Sequence, residues 1–159
     1  MTTTTTDHCL FLRSEAETDR LGQSLAPLLR AGDTLLLWGE IGAGKSALAR
    51  SIIRAICGEE TEVPSPTYTL VQTYPAPGGE IWHSDLYRLG DAQEALELGL
   101  LDAFDNAICL VEWPDRLGPD LPSDALQIHL TATPDGHNAR LSLTSAWAGR
   151  LTGALASVR

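Results

Sequence analysis

The apolar positions of this chain fall into short runs punctuated by glycine, proline and acidic residues, and the runs carry two periods. Thr34-Leu35-Leu36-Leu37-Trp38 is an apolar segment of strand length. Ile108-Cys109-Leu110-Val111 is continuously apolar, the signature of a strand buried on both faces. His8 to Leu12 reads as a short first strand. Thr69–Tyr74 and Glu80–Ser84 read as a hairpin turning through Pro75 to Gly79, and Ala125–Thr131 and Ala139–Thr144 as a second around Pro134-Asp135-Gly136. Helical spacing appears elsewhere. Ser14-Glu15-Ala16-Glu17 is a capping box that opens a helix through about Leu29, with Leu21, Leu25, Leu28 and Leu29 as its buried stripe and Gly32 closing it. Ala47 to Ile56 is a second helix with its exit at Gly58. Asp91 caps a short helix that stops at Gly99, and Ser145 caps a last one carrying Trp147, Leu151, Leu155 and Val158 on one face. Pro64 and Pro66 hold Val63–Thr69 extended, and Pro114 to Pro122 is a loop.

Length and composition narrow the classes. The chain has 159 residues, 43% of them hydrophobic, which predicts one domain spanning 1–159 with a folded core. No apolar run is long enough to cross a membrane and the start carries no secretory signal, so the expected location is the cytoplasm. Met1 to Thr6 is polar and is expected to be disordered. Cys9, Cys57 and Cys109 are odd in number and widely spaced, which suits neither a disulfide framework nor a zinc site; they read as small buried hydrophobes. The net charge of -10 disfavours direct grip on a nucleic-acid backbone.

The chemistry concentrates at Gly39-Glu40-Ile41-Gly42-Ala43-Gly44-Lys45-Ser46, which matches G-x-x-x-x-G-K-S. It lies between the predicted strand at Thr34–Trp38 and the predicted helix, where backbone N–H groups and the helix dipole make a phosphate nest. Lys45, the only lysine of the chain, would reach the β- and γ-phosphates, and Ser46 would offer a hydroxyl to Mg²⁺. A nucleoside triphosphatase also needs a carboxylate at the end of a buried strand, and Glu112 follows directly on Val111. Asp85, beside His83, is a second candidate for the metal network, or else caps a turn. His83 alone reads as a packed histidine. Trp113 is either exposed or stacked on something flat. An N-K-x-D element for guanine would need a second lysine, so ATP is expected over GTP.

Four stretches in order, Gly39–Ser46, Ser65-Pro66-Thr67-Tyr68-Thr69-Leu70-Val71, His83-Ser84-Asp85-Leu86-Tyr87-Arg88-Leu89 and Leu110-Val111-Glu112-Trp113-Pro114, resemble the bacterial TsaE (YjeE) family. The resemblance runs from about Ser14 to Arg140. It implies an α/β, P-loop NTPase-like three-layer fold with a central mixed β-sheet flanked by helices. It implies an ATPase, using ATP and Mg²⁺, required for threonylcarbamoyl modification of adenosine 37 in tRNAs that read codons starting with A. Its partners would be the threonylcarbamoyl transferase TsaD and the paralogous TsaB, with tRNA met only through that complex. Carried over residue by residue, Ser46 and Glu112 would hold Mg²⁺ with Asp85 nearby, and Thr67 would be a switch-like threonine. Glu15 would lie close to the adenine side, and His137 and Arg140 would approach the nucleotide from the late hairpin. A small-molecule kinase on the same scaffold, or a binding module without hydrolysis, are the competing readings; the first lacks paired lid arginines after Glu112, and the second is disfavoured by the intact Lys45, Ser46, Asp85 and Glu112.

Overall fold

A computed structural model of the protein describes residues 6–66 and 69–151. Seven strands form one sheet: β1 (Thr6–Leu12), β2 (Thr34–Trp38), β3 (Val71–Ala76), β4 (Gly79–Asp85), β5 (Ile108–Glu112), β6 (Leu126–Thr133) and β7 (Gly136–Leu143), in the order β1-β7-β6-β2-β5-β4-β3. β6, β2, β5 and β4 run parallel, and β3, β7 and β1 pair antiparallel at the two sides. The two continuous apolar runs, β2 and β5, lie side by side in the middle, where both faces are covered. On one face Leu35, Leu37, Leu110 and Ile128 pack under α1 (Glu15–Leu25), α2 (Lys45–Cys57) and α5 (Ser145–Leu151). On the other, Leu36, Cys109 and Val111 pack under α3 (Ala92–Glu97), α4 (Leu100–Asn106) and the 3₁₀ turns of Pro114–Asp120. Among the described residues no helix is long and apolar enough to cross a membrane.

Several boundaries differ from the sequence reading for identifiable reasons. α1 ends at Leu25, not near Leu29, because Pro27 has no N–H to continue the ladder and the chain tightens into a 3₁₀ turn over Ala26–Leu28. Gly32 is therefore not the helix terminator; its N–H bonds to the Ala107 carbonyl at 2.9 Å and fixes the turn into β2. Pro75 lies inside β3, which as an edge strand tolerates the missing donor, and the hairpin turns at Pro77-Gly78 instead. Gly99, in the left-handed region at φ 86°, ends α3 and at once begins α4, a helix absent from the sequence reading, which buries Leu100, Ala103 and Phe104. α5 starts on Ser145 itself, so the capping position falls to Thr144, whose carbonyl accepts from Ala148; Leu155 and Val158 lie outside the described residues. The disorder expected over Met1–Thr6 fails at Thr6, which pairs with Leu143 in β1, while residues 1–5 lie outside the described residues.

The cysteines are not uniformly buried. All three are free thiols; Cys109 is buried, Cys57 half-buried and Cys9 exposed on the outward side of β1. Burial pushes the Cys109 thiol up to about 12 and also raises Cys57. Since the thiolate is the nucleophile, iodoacetamide at pH 8 is expected to label Cys9 fastest and Cys109 only in denaturant, as read by peptide mass spectrometry. Labelling of Cys109 in the native protein at the Cys9 rate would contradict its place between β2 and α4.

Candidate nucleotide-binding site

The carboxyl ends of β2, β5 and β4 point to one edge of the sheet, with Leu37 opposite Glu112 and Glu112 opposite Asp85. Between β2 and α2 the loop 39–44 turns back across this edge. Its glycines are required by geometry. Gly44 precedes α2 in the left-handed region at φ 103°, and a Cβ on Gly39 would lie 2.6 Å from the Leu130 carbonyl oxygen. The resulting cavity, about 590 Å³, is lined by the loop and the start of α2, by Asp85 and Glu112, by the start of α1, and by His137.

Lys45 opens α2 and curls back to donate from Nζ to the Gly39 carbonyl at 2.5 Å and the Glu40 carbonyl at 2.9 Å. Its ammonium stands 4.3 Å over the Trp113 ring. Burial lowers its pKa, opposed by the carboxylates of Glu112, Asp85 and Glu40. Glu112 is divided between two partners: Oε1 accepts from the Ser46 hydroxyl at 2.8 Å and Oε2 lies 2.6 Å from His83 Nε2. His83 and Glu112 are 1% and 2% exposed. An ionised Glu112 carboxylate can only accept, so His83 Nε2 donates to it, while His83 Nδ1 has no hydrogen-bond partner among the described residues. Asp85 is also buried, and its Oδ1 accepts from the Tyr87 N–H at 3.0 Å. At the opposite wall Ser14 caps α1 as read, but the return bond of Glu17 goes to the N–H of Arg13, one residue before the cap. Ser14 Oγ accepts from Glu17 N, and Glu17 Oε2 accepts from Arg13 N, so Glu15 and Thr18 on the first turn of α1 reach the cavity.

Ile41, Gly42, Gly44, Lys45, Ser46, Asp85, Glu112, Glu15 and His137 thus share one cavity, and His137 Nε2 lies 3.4 Å from the Gly42 carbonyl oxygen. Glu40 and Ala43 do not line it. Ala43 is buried beneath the loop with its N–H on the Glu40 carbonyl, and both border a groove on the far face of the sheet. Arg140 is a correction. Strand alternation puts Ala139 and Leu141 in the core beneath α1 and α5, so Arg140 emerges on the other face of β7, beside His129, and pairs with Asp7 at 3.4 Å. Thr67 lies outside the described residues. Of the wall, Arg13 was not picked out by sequence reasoning, Tyr87 and Arg88 were located only within the H-S-D-L-Y-R-L stretch, and Trp113 carried two open readings. The V-E-W stretch located Trp113 but not its role. It adopts φ 57°, ψ 53° at the exit of β5, with its ring 4.9 Å from that of Tyr87 and over Lys45.

The donor set suits a hard divalent cation. Ser46 Oγ and the Glu112 carboxylate meet in one place and Asp85 lies on the neighbouring strand at the same level. Among the described residues no group of three or more His, Cys, Asp or Glu encloses an ion by itself. Mg²⁺ is ordinarily held in this way, by one or two protein oxygens with phosphate and water completing its octahedron.

A strand, a Gly-rich loop, a helix opening on Lys-Ser and a carboxylate at the end of the adjacent parallel strand define the P-loop NTPase class. Residues 12–140 match the family model for threonylcarbamoyl adenosine biosynthesis protein TsaE, and the chain belongs to that family. It is 39% identical over 124 residues to the tRNA threonylcarbamoyladenosine biosynthesis protein TsaE of Rickettsia bellii, covering 78% of this chain and 86% of that one. It is 37% identical over 128 residues to the protein of the same name from Haemophilus influenzae, covering 77% and 80%. The crystal structure of Bacillus subtilus YdiB superposes with a TM-score of 0.73 over 99% of this chain and 97% of that one at 24% identity, a likeness of fold.

Proposed function

We propose that this chain is the ATP-hydrolysing accessory protein of threonylcarbamoyl modification at adenosine 37 of tRNAs reading codons that start with A. In this reading it works in the cytoplasm with the TsaD-type transferase and its TsaB-type partner and meets tRNA only through them. Family membership supports the pathway. The observation that carries the hydrolytic role is the chain from Ser46 to the buried Glu112 and His83 beside Lys45, since a P-loop that only held nucleotide has no need of a desolvated carboxylate aimed at its serine.

The division of labour follows from the geometry. The N–H groups at the start of α2, together with the helix dipole, take up phosphate charge. Lys45 has one donor beyond the two it gives to Gly39 and Glu40, and its ammonium meets the terminal phosphate. Trp113 covers one face of that ammonium and keeps water from it. Ser46 and Glu112 would hold Mg²⁺, with Asp85 nearby in the metal or water network. When bound, the ion would supply positive charge that offsets the charge developing in phosphoryl transfer. His83 fixes the Glu112 carboxylate by occupying Oε2, which leaves Oε1 to the Ser46 side. Thr67 belongs in this scheme as a switch residue that would respond to the γ-phosphate.

ATP and ADP are expected to bind with Mg²⁺ and GTP much more weakly. Equal affinity for GTP in a calorimetric titration would overturn that choice. The isolated protein is expected to turn over slowly and the partner pair to accelerate it, because neither arginine that lines the cavity, Arg13 or Arg88, belongs to the phosphate loop, and Arg88 serves as a structural ion pair in this reading. A cation supplied in trans can raise phosphoryl transfer by roughly 10³–10⁵. A steady-state ATPase assay of the protein alone, with each partner and with both, tests this. Full-speed turnover alone, unchanged by partners, would refute it.

A further inference from the structure

α1 and α2 touch most closely where Gly22 meets Ser51. A Cβ placed on Gly22 would fall 2.4 Å from Ser51 Oγ and 2.7 Å from Ser51 Cβ, with the Ile52 N–H nitrogen at 3.2 Å. Ser51 is buried, and its hydroxyl crosses to donate to the Asp19 carbonyl at 3.1 Å, joining the helices where they are closest. Glycine is disfavoured inside a helix, and Gly22 occupies a helical position where no side chain fits.

The contact has a directional consequence. α2 starts at Lys45 and α1 at Glu15, and both starts face the same cavity. The α2 start carries the phosphate loop. The α1 start brings Arg13, Ser14, Glu15 and Thr18 to the cavity, and is left to face whatever part of the ligand lies beyond its phosphates. Gly22 lies seven residues into α1 and Ser51 six residues beyond Lys45, so each is about 10 Å along its helix from the cavity. We infer that the Gly22–Ser51 contact sets the distance between the nucleoside wall and the phosphate loop. Gly22 is then a positioning residue for the nucleoside half of the ligand, although it touches no ligand. The inference rests on the reading above that an adenine nucleotide occupies the cavity. Opening the 2.4 Å contact to the 3.4 Å of ordinary packing moves the helices apart by 1 Å (3.4 − 2.4). A displacement of that size at a binding wall can cost up to about 100-fold.

The experiment compares two probes, Mg·ADP and Mg·tripolyphosphate, by calorimetric titration of the full chain. Gly22→Ala is expected to weaken ADP by about 10-fold or more and leave tripolyphosphate within about 2-fold, since only the nucleoside wall has moved. Ser51→Gly in the Gly22→Ala background removes the two nearest atoms and is expected to restore most of the ADP affinity. Ser51→Thr, which crowds the contact from the α2 side, serves as a second variant should Gly22→Ala fail to fold, and is expected to show the same selective loss. Phe104→Ala, a core change on α4 beneath the opposite face of the sheet, should lower the melting temperature without altering the ratio of the two affinities. Equal weakening of both probes in Gly22→Ala, or a double variant that regains its melting temperature but not its ADP affinity, would overturn the inference. A wild-type protein that binds tripolyphosphate as tightly as ADP would instead overturn the nucleoside reading of the cavity on which it stands.

Discussion

Lys45→Ala is expected to abolish useful nucleotide binding, raising the Kd for Mg·ATP by about 10²–10³. The side chain is desolvated, held on two loop carbonyls and capped by an indole, so its ammonium is aimed before any ligand arrives. A charge-assisted hydrogen bond from its one free donor to phosphate contributes about 1.5–3 kcal/mol, and the loss of the nest's only ammonium beside the polyanion accounts for the rest. The truncation also leaves Glu112 and Asp85 facing the cavity without the cation that now offsets them, so anionic phosphate meets uncompensated negative charge. Calorimetric titration with ATP and ADP checks the prediction. A loss below about 5-fold would mean that Lys45 serves the loop and not the ligand.

Glu112→Gln is expected to separate binding from chemistry. The amide keeps the volume of the carboxylate and can still accept from Ser46, while its NH₂ turns toward His83, which then takes the Nδ1–H tautomer and accepts at Nε2. The packing survives and the charge does not. Metal-free nucleotide affinity should change by less than about 3-fold, whereas Mg²⁺-dependent hydrolysis in the presence of both partners should fall by about 10²–10³, the scale of losing one preorganised charge in a buried site. The melting temperature should hold or rise, because a buried carboxylate has been replaced by a neutral group. Hydrolysis at the wild-type rate would remove Glu112 from the metal site.

What the sequence made legible is local. The glycine spacing of 39–44, the apolar runs of β2 and β5 and the carboxylate that follows Val111 each announce themselves within about ten residues, and the structure assembles them at one sheet edge. The Ser14 cap of α1 was legible for the same reason. What stayed hidden depends on partners far along the chain. Arg140 was expected in the site from the resemblance of the late hairpin to the family's, and His137, three residues earlier, does line the cavity. Which face Arg140 takes is fixed by the pairing of β7 with β1 and β6, which a stretch of β7 alone does not reveal. α4 was lost because Gly99 signals a stop equally well whether a strand or a second helix follows. Trp113 carried two open readings, and its partner proved to be an ammonium 68 positions earlier (113 − 45). Gly22 gave no signal, since a helix-interior glycine shows its purpose only when the helix packed against it is known.

ATP hydrolysis by this chain is proposed as a requirement of tRNA modification, and the most direct measurement is the threonylcarbamoyladenosine content of bulk tRNA. Cells depleted of the endogenous protein would be complemented with the wild-type chain, Lys45→Ala or Glu112→Gln, and nucleosides from their tRNA quantified by mass spectrometry. The wild-type chain is expected to restore the modified nucleoside, and neither variant is expected to do so when expressed to the same level. Full restoration by Glu112→Gln would show that the pathway needs the protein's presence but not its chemistry, and would contradict the assignment.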